Sequence, residues 1–570
     1  MRISYVVLAA MGLGLGCNGE DDPEEPTNVV AIGEGWWPWS LNPVLWDDIT
    51  LSEIGQCIFT GVFEPAPTGE LIPVVVTELP TVANGGVTEN ADGTVTVQYQ
   101  IRSDAVWADG TPITGEDLAF TYQTIMDPAL PTYKDGYEDI IPESVQVDPL
   151  DPKSFQYTLE TPSVVYQSLF QVIVPKHDVE GSDFENDWNE QPWVSGGPFQ
   201  FVSWEDGVLE LERNDNYWGT DPDTGAALPY LDGVLFHVFE GIVPLDAVFA
   251  AQLRSDEPSP NAFARVDVTG LPWQFTAETV QGLEDLGAEV LLTPTPLWEH
   301  LAFQFGPNNA NPLSLNQELS LRRAVAHAID KQRLVDDPMI GGGLVAPMDS
   351  YVEAFDSTLS QGAWAQYDYD PDEAKALIGD SCDDHDQDGS PDCKVIYNSV
   401  NWAPHRVRIS ELLGEMFDDV GIPYEAQLTE DFFGEMLDSG SFDLGGWAWV
   451  GSPGLFGLVA THGLFDPNGA SPEGMNYYQW GVDPADRDEH QVRFVEIVEE
   501  MNTTVDETEL TALIHEAEEI IADQVVIIPL YQWAGGIAFD PRQVEGIVAN
   551  SHMWGTFTWE IERWRKPGFP

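Results

Sequence analysis

The chain has 570 residues, of which 97 are Asp or Glu and only 22 are Lys or Arg, giving a formal net charge of -75. Such a surface repels nucleic acid, whose phosphates are bound by basic residues that displace counterions, and it repels anionic lipid headgroups. The length exceeds one ordinary core while the hydrophobic fraction, 43%, is that of a folded globular protein, so two large lobes are expected and wholesale disorder is excluded. Self-repulsion on this scale loosens a compact state unless salt screens it, which implies either a salty habitat or a highly soluble, acidic secreted protein.

In chain order, residues 1–16 read as a signal peptide, with one Arg, an apolar run too short to span a bilayer, and then small residues. Cys17 follows Gly14-Leu15-Gly16 and resembles the lipid-modified cysteine of the bacterial lipobox, with Gly14 where Leu is more usual. The alternative is a plain signal peptide cut elsewhere. Residues 17–28 are polar, acidic and Pro-bearing, as in a flexible tether.

Residues 29–43 (VVAIGEGWWPWSLNP) read as a strand and then a loop, and 51–63 carries apolar residues at helical spacing up to Gly61. Residues 94–101 (TVTVQYQI) alternate as a strand after an Asp92-Gly93 turn. The next stretch, VWADGTPITGEDLAFTY, concentrates Asp109, Glu116 and Asp117 near Trp107. Thr114 is a good N-cap, Asp117 stands where a carboxylate reaches back to free first-turn amides, and both Glu116 and Asp117 sit at the positive end of a helix dipole. Leu118, Tyr122 and Ile125 complete an apolar stripe. These acids therefore have architectural roles and need no catalytic one.

Further along, 321–335 reads as one helix face through Leu321, Ala324, Val325, Ala328 and Ile329. Residues 394–397 and 424–428 read as strands, with an amphipathic helix over 409–420 between them that Gly421 stops. A short helix at 432–437 precedes the strand DLGGWAWV. Leu510, Leu513, Ile514, Ala517 and Ile521 mark a last helix, followed by the buried run VVIIPLY. Alternating strands and helices argue an α/β protein.

Four cysteines fit export. Cys17 is taken by the lipid, Cys382 and Cys393 are close enough to pair in an oxidising compartment, and Cys57 reads as a small buried hydrophobe. Between the pair, CDDHDQDGSPDC sets Asp384, Asp386 and Asp388 at alternate positions before Gly389, with Asp392 behind. This resembles the front half of a calcium loop, with Val395 where the bidentate Glu belongs. Structural Ca²⁺ and a solvated acidic turn are the two readings, and no cofactor is required.

Taken in order, several segments resemble the dipeptide- and oligopeptide-binding family (family 5) of ABC-transporter solute-binding proteins. Leu41-Asn42-Pro43 is similar to its early Leu-Asp-Pro, and Gly69 to Pro73 to its Gly-x-Leu-x-Pro. IRSDAVWADGTPITGEDLAF is similar to its most recognisable signature, and Val174-Pro175-Lys176-His177 to its Val-Pro-Lys-His. GGPFQFVSWEDGVLELERNDNYWG and RRAVAHAID are similar to its Gly-Pro-Tyr…Tyr-Trp block and its Arg-x-Ala…Ala-Ile-Asp helix. The resemblance implies a two-lobed periplasmic-binding-protein type II fold with a hinge and a small extra subdomain in the first lobe. It places the first lobe at 29–292, the second at 293–523 and the return at 524–570. It implies a monomer lipid-anchored outside the cytoplasm, which captures an oligopeptide or similar solute and passes it to a membrane permease with no reaction of its own.

The family's Gly-Trp-x-x-Asp supplies an Asp for the peptide ammonium, and here Gly446-Trp447-Ala448-Trp449-Val450 ends in Val. Asp443 is the substitute that a shifted alignment would offer. Loss of the acid raises the alternative of a neutral oligosaccharide or other non-peptide solute, because a cation in a dry cleft needs a partner charge. Twenty Trp point the same way, since flat rings contact sugars without demanding charge. Trp36, Trp37, Trp402, Trp447 and Trp449 stand at expected strand-to-loop junctions and, with Asn476 and Tyr477, are the candidate ligand contacts, with core packing the competing role for each. A secreted carbohydrate-active hydrolase is the reading of another class, but no His-Glu-x-x-His, Gly-x-Ser-x-Gly or phosphate-loop pattern occurs. A sensory role, presenting ligand to a receptor, is a third.

Overall fold

The computed structural model describes residues 28–46, 48–205, 207–239, 245–254, 265–271, 275–383, 385, 391–451, 454–472, 474–550 and 557–569. Cys17, Asp384, Asp386 and Asp388 lie outside them, so the lipidation site and three of the four candidate calcium ligands have no structural account.

β1 (Val29–Glu34) is followed by a hairpin of β2 (Phe63–Pro65) and β3 (Leu71–Pro73). A separate antiparallel sheet, ordered β4-β5-β7-β6, is built from β4 (Val87–Glu89), β5 (Val95–Gln100), β6 (Gln146–Asp148) and β7 (Asp151–Leu159). The chain then returns beside β1 through β8 (Phe199–Glu205), β9 (Val208–Arg213), β10 (Gly233–Val238) and β11 (Val268–Gly270). The remaining strands are β12 (Glu289–Phe303), β13 (Val395–Val400), β14 (Tyr424–Thr429), β15 (Leu444–Val450) and β16 (Ile527–Phe539). Together with β1 and β8 to β11 they form one ten-stranded sheet, ordered β14-β13-β15-β12-β16-β11-β1-β10-β9-β8.

Local sequence explains the roles. β1 pairs in parallel with β10 and β11 and is buried almost throughout, which its run of Val, Ala and Ile permits. β5 instead buries alternate residues, Val95, Val97 and Tyr99, as expected of a sheet with one face on a core. The two longest strands, β12 and β16, run antiparallel to each other across the middle of the sheet. The second half of β12 pairs with β15 and is buried, whereas its first half is largely open. Between them the register shifts: Pro294 faces Ala534 and Trp298 faces Gln532, so Thr295, Pro296 and Leu297 oppose Trp533 alone. Two prolines without amide donors make this the weak point of the ladder. Thr295 Oγ1 donates to the Trp533 carbonyl at 3.0 Å, and Gln532 Nε2 donates to the Thr295 carbonyl at 3.0 Å. β12 and β16 are the strands that link the β13-β14-β15 set to the β1 and β8-to-β11 set within the sheet. One cluster of buried apolar residues runs from Tyr99, Phe155 and Phe170 beneath the small sheet into Leu458 and Ile514 of the other lobe, so the lobes are packed together.

Two expected elements differ. The helix face read over 321–335 is split into Leu319–Ala328 and Lys331–Asp336, because Ile329 is extended and the Asp330 carboxylate caps the second piece by accepting from the Arg333 amide. The short helix near 432–437 is a single π turn at Phe433–Leu437.

The acids beside Trp107 sit where capping requires. The helix Gly115–Met126 starts at Thr114, whose Oγ1 accepts from the Glu116 amide, while Asp117 Oδ2 accepts from the Thr114 amide at 2.8 Å. The other oxygen, Asp117 Oδ1, accepts from the Lys176 amide at 3.0 Å, so one buried carboxylate fastens two segments. Asp117→Ala is expected to lower stability by about 2 kcal/mol, seen as a lower urea midpoint at unchanged slope. An unmoved midpoint would show that the cap is dispensable.

Candidate functional site

Both lobes point strand ends at the joint. In the first lobe β1, β10 and β11 are parallel and end level, with Glu34 opposite Val238 and Gly33 opposite Thr269. β11 pairs with β16 at Gly270–Ile537, a few residues from the register shift. In the second lobe β13 is parallel to β14 and β15, Val400 ends opposite Thr429, and Val450 ends opposite Leu297 at the other side of the shift. The carboxyl ends of both parallel sets therefore point toward the register shift from its two sides, and strand carboxyl ends are the usual ligand position in open α/β sheets.

Exposure separates the candidate residues into two groups. Trp36, directly after β1, is 69% exposed, and Trp402, directly after β13, is 62% exposed, so each offers a free ring on opposite rims. Trp402 Nε1 donates to the Glu430 carbonyl at 3.2 Å, which fixes the ring at the end of β14. Trp37 is half-buried against Trp204, with centroids 5.2 Å apart. Trp39 and Trp46 stack with centroids 6.1 Å apart and extend the aromatic rim of the first lobe. Trp449 and Tyr477 are half-buried neighbours at 5.8 Å, and Trp449 Nε1 donates to the Tyr478 hydroxyl at 2.9 Å.

Trp447 and Asn476 belong instead to the interior. Trp447 is 1% exposed, stacked on Tyr478 at 5.8 Å and edge-on to His300 at 4.7 Å. Burial holds His300 down to about 3, so that ring is neutral. Asn476 is fully buried, its Nδ2 donating to the carbonyls of Asp466 and Trp480 at 3.0 Å each. In this packed arrangement neither side chain reaches the crevice, and what they do is set the course of the chain under Trp449 and Tyr477.

Asp443 does not supply the cation partner missing at Val450. It is 2% exposed, and its carboxylate accepts from Asn309 Nδ2 at 2.9 Å, Asn311 Nδ2 at 2.7 Å, the Ile396 amide at 2.9 Å and the Ser314 hydroxyl. It is a structural knot at the far end of β15. Cys382 and Cys393 are joined as a disulfide with Cα atoms 4.6 Å apart. Asp392 accepts from His385 Nδ1 at 2.7 Å and so is an ion-pair partner in this structure. Among the described residues no group of three His, Cys, Asp or Glu converges as a metal site.

Sequence reasoning missed a recess of ≈ 490 Å³ just beyond β15. The first lobe lines it with Phe63, Glu70, Leu71, Tyr99 and Tyr166, and the second with Asp356, Leu359, Leu455 and Glu507. Gln167 Nε2 donates to Glu507 Oε1 at 3.4 Å across the lobes. No short motif announces this site, because its walls come from seven separated stretches of chain.

A family model described as bacterial extracellular solute-binding proteins, family 5 middle, matches residues 71–456, more than half of the chain. The oligopeptide-binding protein OppA of Bacillus subtilis (strain 168) is 22% identical over 564 residues, covering 93% of this chain and 92% of that one. A periplasmic EDTA-binding protein, EppA, superposes with a TM-score of 0.69 at 21% identity, covering 94% of this chain and 96% of that one. The oligopeptide-binding protein AppA of Bacillus subtilis, solved with a nonapeptide, superposes with a TM-score of 0.57 at 16% identity, covering 95% and 99%. At these identities the structural likeness is one of fold.

Proposed function

The chain belongs to family 5 of the bacterial extracellular solute-binding proteins, and from that premise we propose that it captures an oligopeptide between its lobes and hands it to an ABC importer without transforming it. The carrying observation is the convergence of parallel strand ends from both lobes on one crevice, crossed by two strands whose ladder is interrupted at Pro294–Trp298 and Gln532–Ala534. Such a joint lets two rigid lobes close on a solute. We place the moving segment there and the return to the first lobe within β16. Export and lipid anchoring at Cys17 complete the reading, and among the described residues no helix is long and apolar enough to cross a membrane.

A second reading, a neutral saccharide or other non-peptide solute, is favoured by Val450, which is 48% exposed and uncharged at the crevice end of β15, and by the open rings of Trp36 and Trp402. Native mass spectrometry of the soluble form, residues 18–570, purified gently and then denatured, separates the two. A ladder of peptide masses supports the peptide reading. A saccharide mass, or an empty protein that only sugars stabilise, retires it.

A further inference from the structure

A second recess, of ≈ 230 Å³, lies at the register shift itself, bounded by Leu292 and Pro294 of β12, Trp533 and Ala534 of β16, and the loop from Leu344 to Met348. That loop is tied to β16 just before the shift, where the Met348 amide donates to the Leu530 carbonyl at 3.0 Å and Pro347 bridges Tyr531. Beyond Trp298–Gln532 the regular ladder to β12 is lost, and the recess lies along the stretch that follows. Its lining is apolar and left open: Leu292 is 39% exposed, and Leu344, Val345 and Trp533 are half-buried. The polar side chains at its edge are already committed. Gln532 Nε2 donates to the carbonyls of Thr295 at 3.0 Å and Glu353 at 3.5 Å, and Thr293 Oγ1 donates to the Pro294 carbonyl at 3.5 Å. Glu353 Oε1 accepts from the Ser360 hydroxyl at 3.4 Å, and the one donor of Trp533 goes to Glu299 Oε2 at 3.3 Å. No Lys, Arg or His lines the recess among the described residues. Glu353 is its single acid, and burial, which raises that carboxyl, disfavours charge there. An anion entering the recess would find no cation, and a sugar would strand its hydroxyls.

We propose that this recess is a specificity pocket for one uncharged, apolar side chain of the solute, aliphatic or aromatic, a selectivity that rests on the oligopeptide-binding function above. Its volume falls below the roughly 300–1,000 Å³ of a pocket that holds a whole drug-sized ligand, so it takes a single group. A Leu or Phe side chain seated there leaves water together with the open surface of Leu292 and Leu344. The pocket is formed in advance, because Trp533 is fixed by Glu299 and by edge-on packing with His405 at 4.7 Å. The end of β15 lies against the same interrupted stretch, since Val450 pairs with Leu297 and the Gly451 amide donates to the Pro296 carbonyl at 2.9 Å. An uncharged Val450 beside an apolar pocket is then one design, in which a side chain rather than a charge selects the solute.

Calorimetry on the mature chain, residues 18–570, in constant concentrated salt tests this with alanine pentapeptides in which Leu, Phe, Ser or Lys is walked through every position. At one position or more, Leu or Phe is expected to bind at least about tenfold tighter than Ser, and Lys no tighter than Ser. Ala346→Trp, which fills the recess from its rim, and Leu344→Gln, which makes its wall polar, are each expected to bring that ratio down to about twofold or less. Ala346 is exposed and Leu344 half-buried, so both variants should fold, and an unmoved thermal midpoint checks it. Loss of the preference in either folded variant supports the pocket. Pentapeptides bound with no apolar preference, with Lys preferred to Leu, or with a preference that both variants keep overturn the inference and leave the peptide reading standing. Binding of no pentapeptide overturns both.

Discussion

Arg406→Met is expected to destabilise the protein by about 3–5 kcal/mol, the largest effect of any single substitution considered. Arg406 lies in the first turn of the helix Pro404–Val420, at the crevice end of β13, and grips Glu299 of β12 through Nε–Oε1 at 2.8 Å and Nη2–Oε2 at 3.2 Å. The side chains are 9% and 1% exposed, so solvent screens the pair little. Trp533 Nε1 donates to Glu299 Oε2 at 3.3 Å, which links the pair to the residue that faces the register shift. Removing the guanidinium leaves a carboxylate that was taken out of water for its sake, with one indole donor remaining. The cost is that stranded charge rather than the net worth of the pair, and a double replacement shows the difference. Glu299→Leu with Arg406→Met is expected to recover much of the loss, because well-packed apolar residues often match a buried ion pair. Denaturant midpoints of the two variants check this. A double variant no better than the single one would mean that the pair contributes net stability.

The Glu299–Arg406 pair also shows where reading a sequence stops. Its partners are 107 residues apart, and among 97 acids nothing local marks Glu299. Local physics was legible where the signal was local. Thr114 and Asp117 form the capping box their spacing implied, and Gly421 ends its helix at φ 83° as a left-handed cap. The buried run VVIIPLY leads through a turn at Val525 and Val526 into a strand from Ile527, but the continuation to Phe539 was not visible, because Gly535 and Gly536 weaken the pattern along β16. The family signatures carried the two-lobed fold. The ligand contacts were harder to read, since a Trp in or just after a strand has the same sequence signature whether it opens to solvent, as Trp402 does after β13, or stacks inward, as Trp447 does within β15. Asp443 looked available beside Val450 in sequence, yet four donors already hold it.

The second large effect concerns pH. Glu34 ends β1 at the first-lobe rim, and Glu53 of the helix Ile49–Ile58 packs against it, both 7% exposed. Glu34 Oε1 and Glu53 Oε2 have no hydrogen-bond partner among the described residues. Burial above all, and for Glu53 also the charges of Glu34 and Asp48, raise both carboxyls, Glu34 to about 7 and Glu53 further. Raised native values mean that the folded form holds its protons after the unfolded chain has released them. The stabilisation is therefore complete below the ordinary carboxyl value of 4.5 and is lost as pH rises through about 7. A tenfold difference in proton affinity between the folded and unfolded chain corresponds to about 1.4 kcal/mol, so a loss of a few kcal/mol across that window is expected. Glu53→Gln removes one titration and gives Glu34 an amide donor. At about pH 8 the variant should be more stable than wild type by about 2 kcal/mol or more, with the advantage vanishing toward about pH 4. Urea midpoints across that range, in constant concentrated salt, measure it. Parallel curves for the two proteins would show that the pair releases its protons in the folded state no later than in the unfolded one.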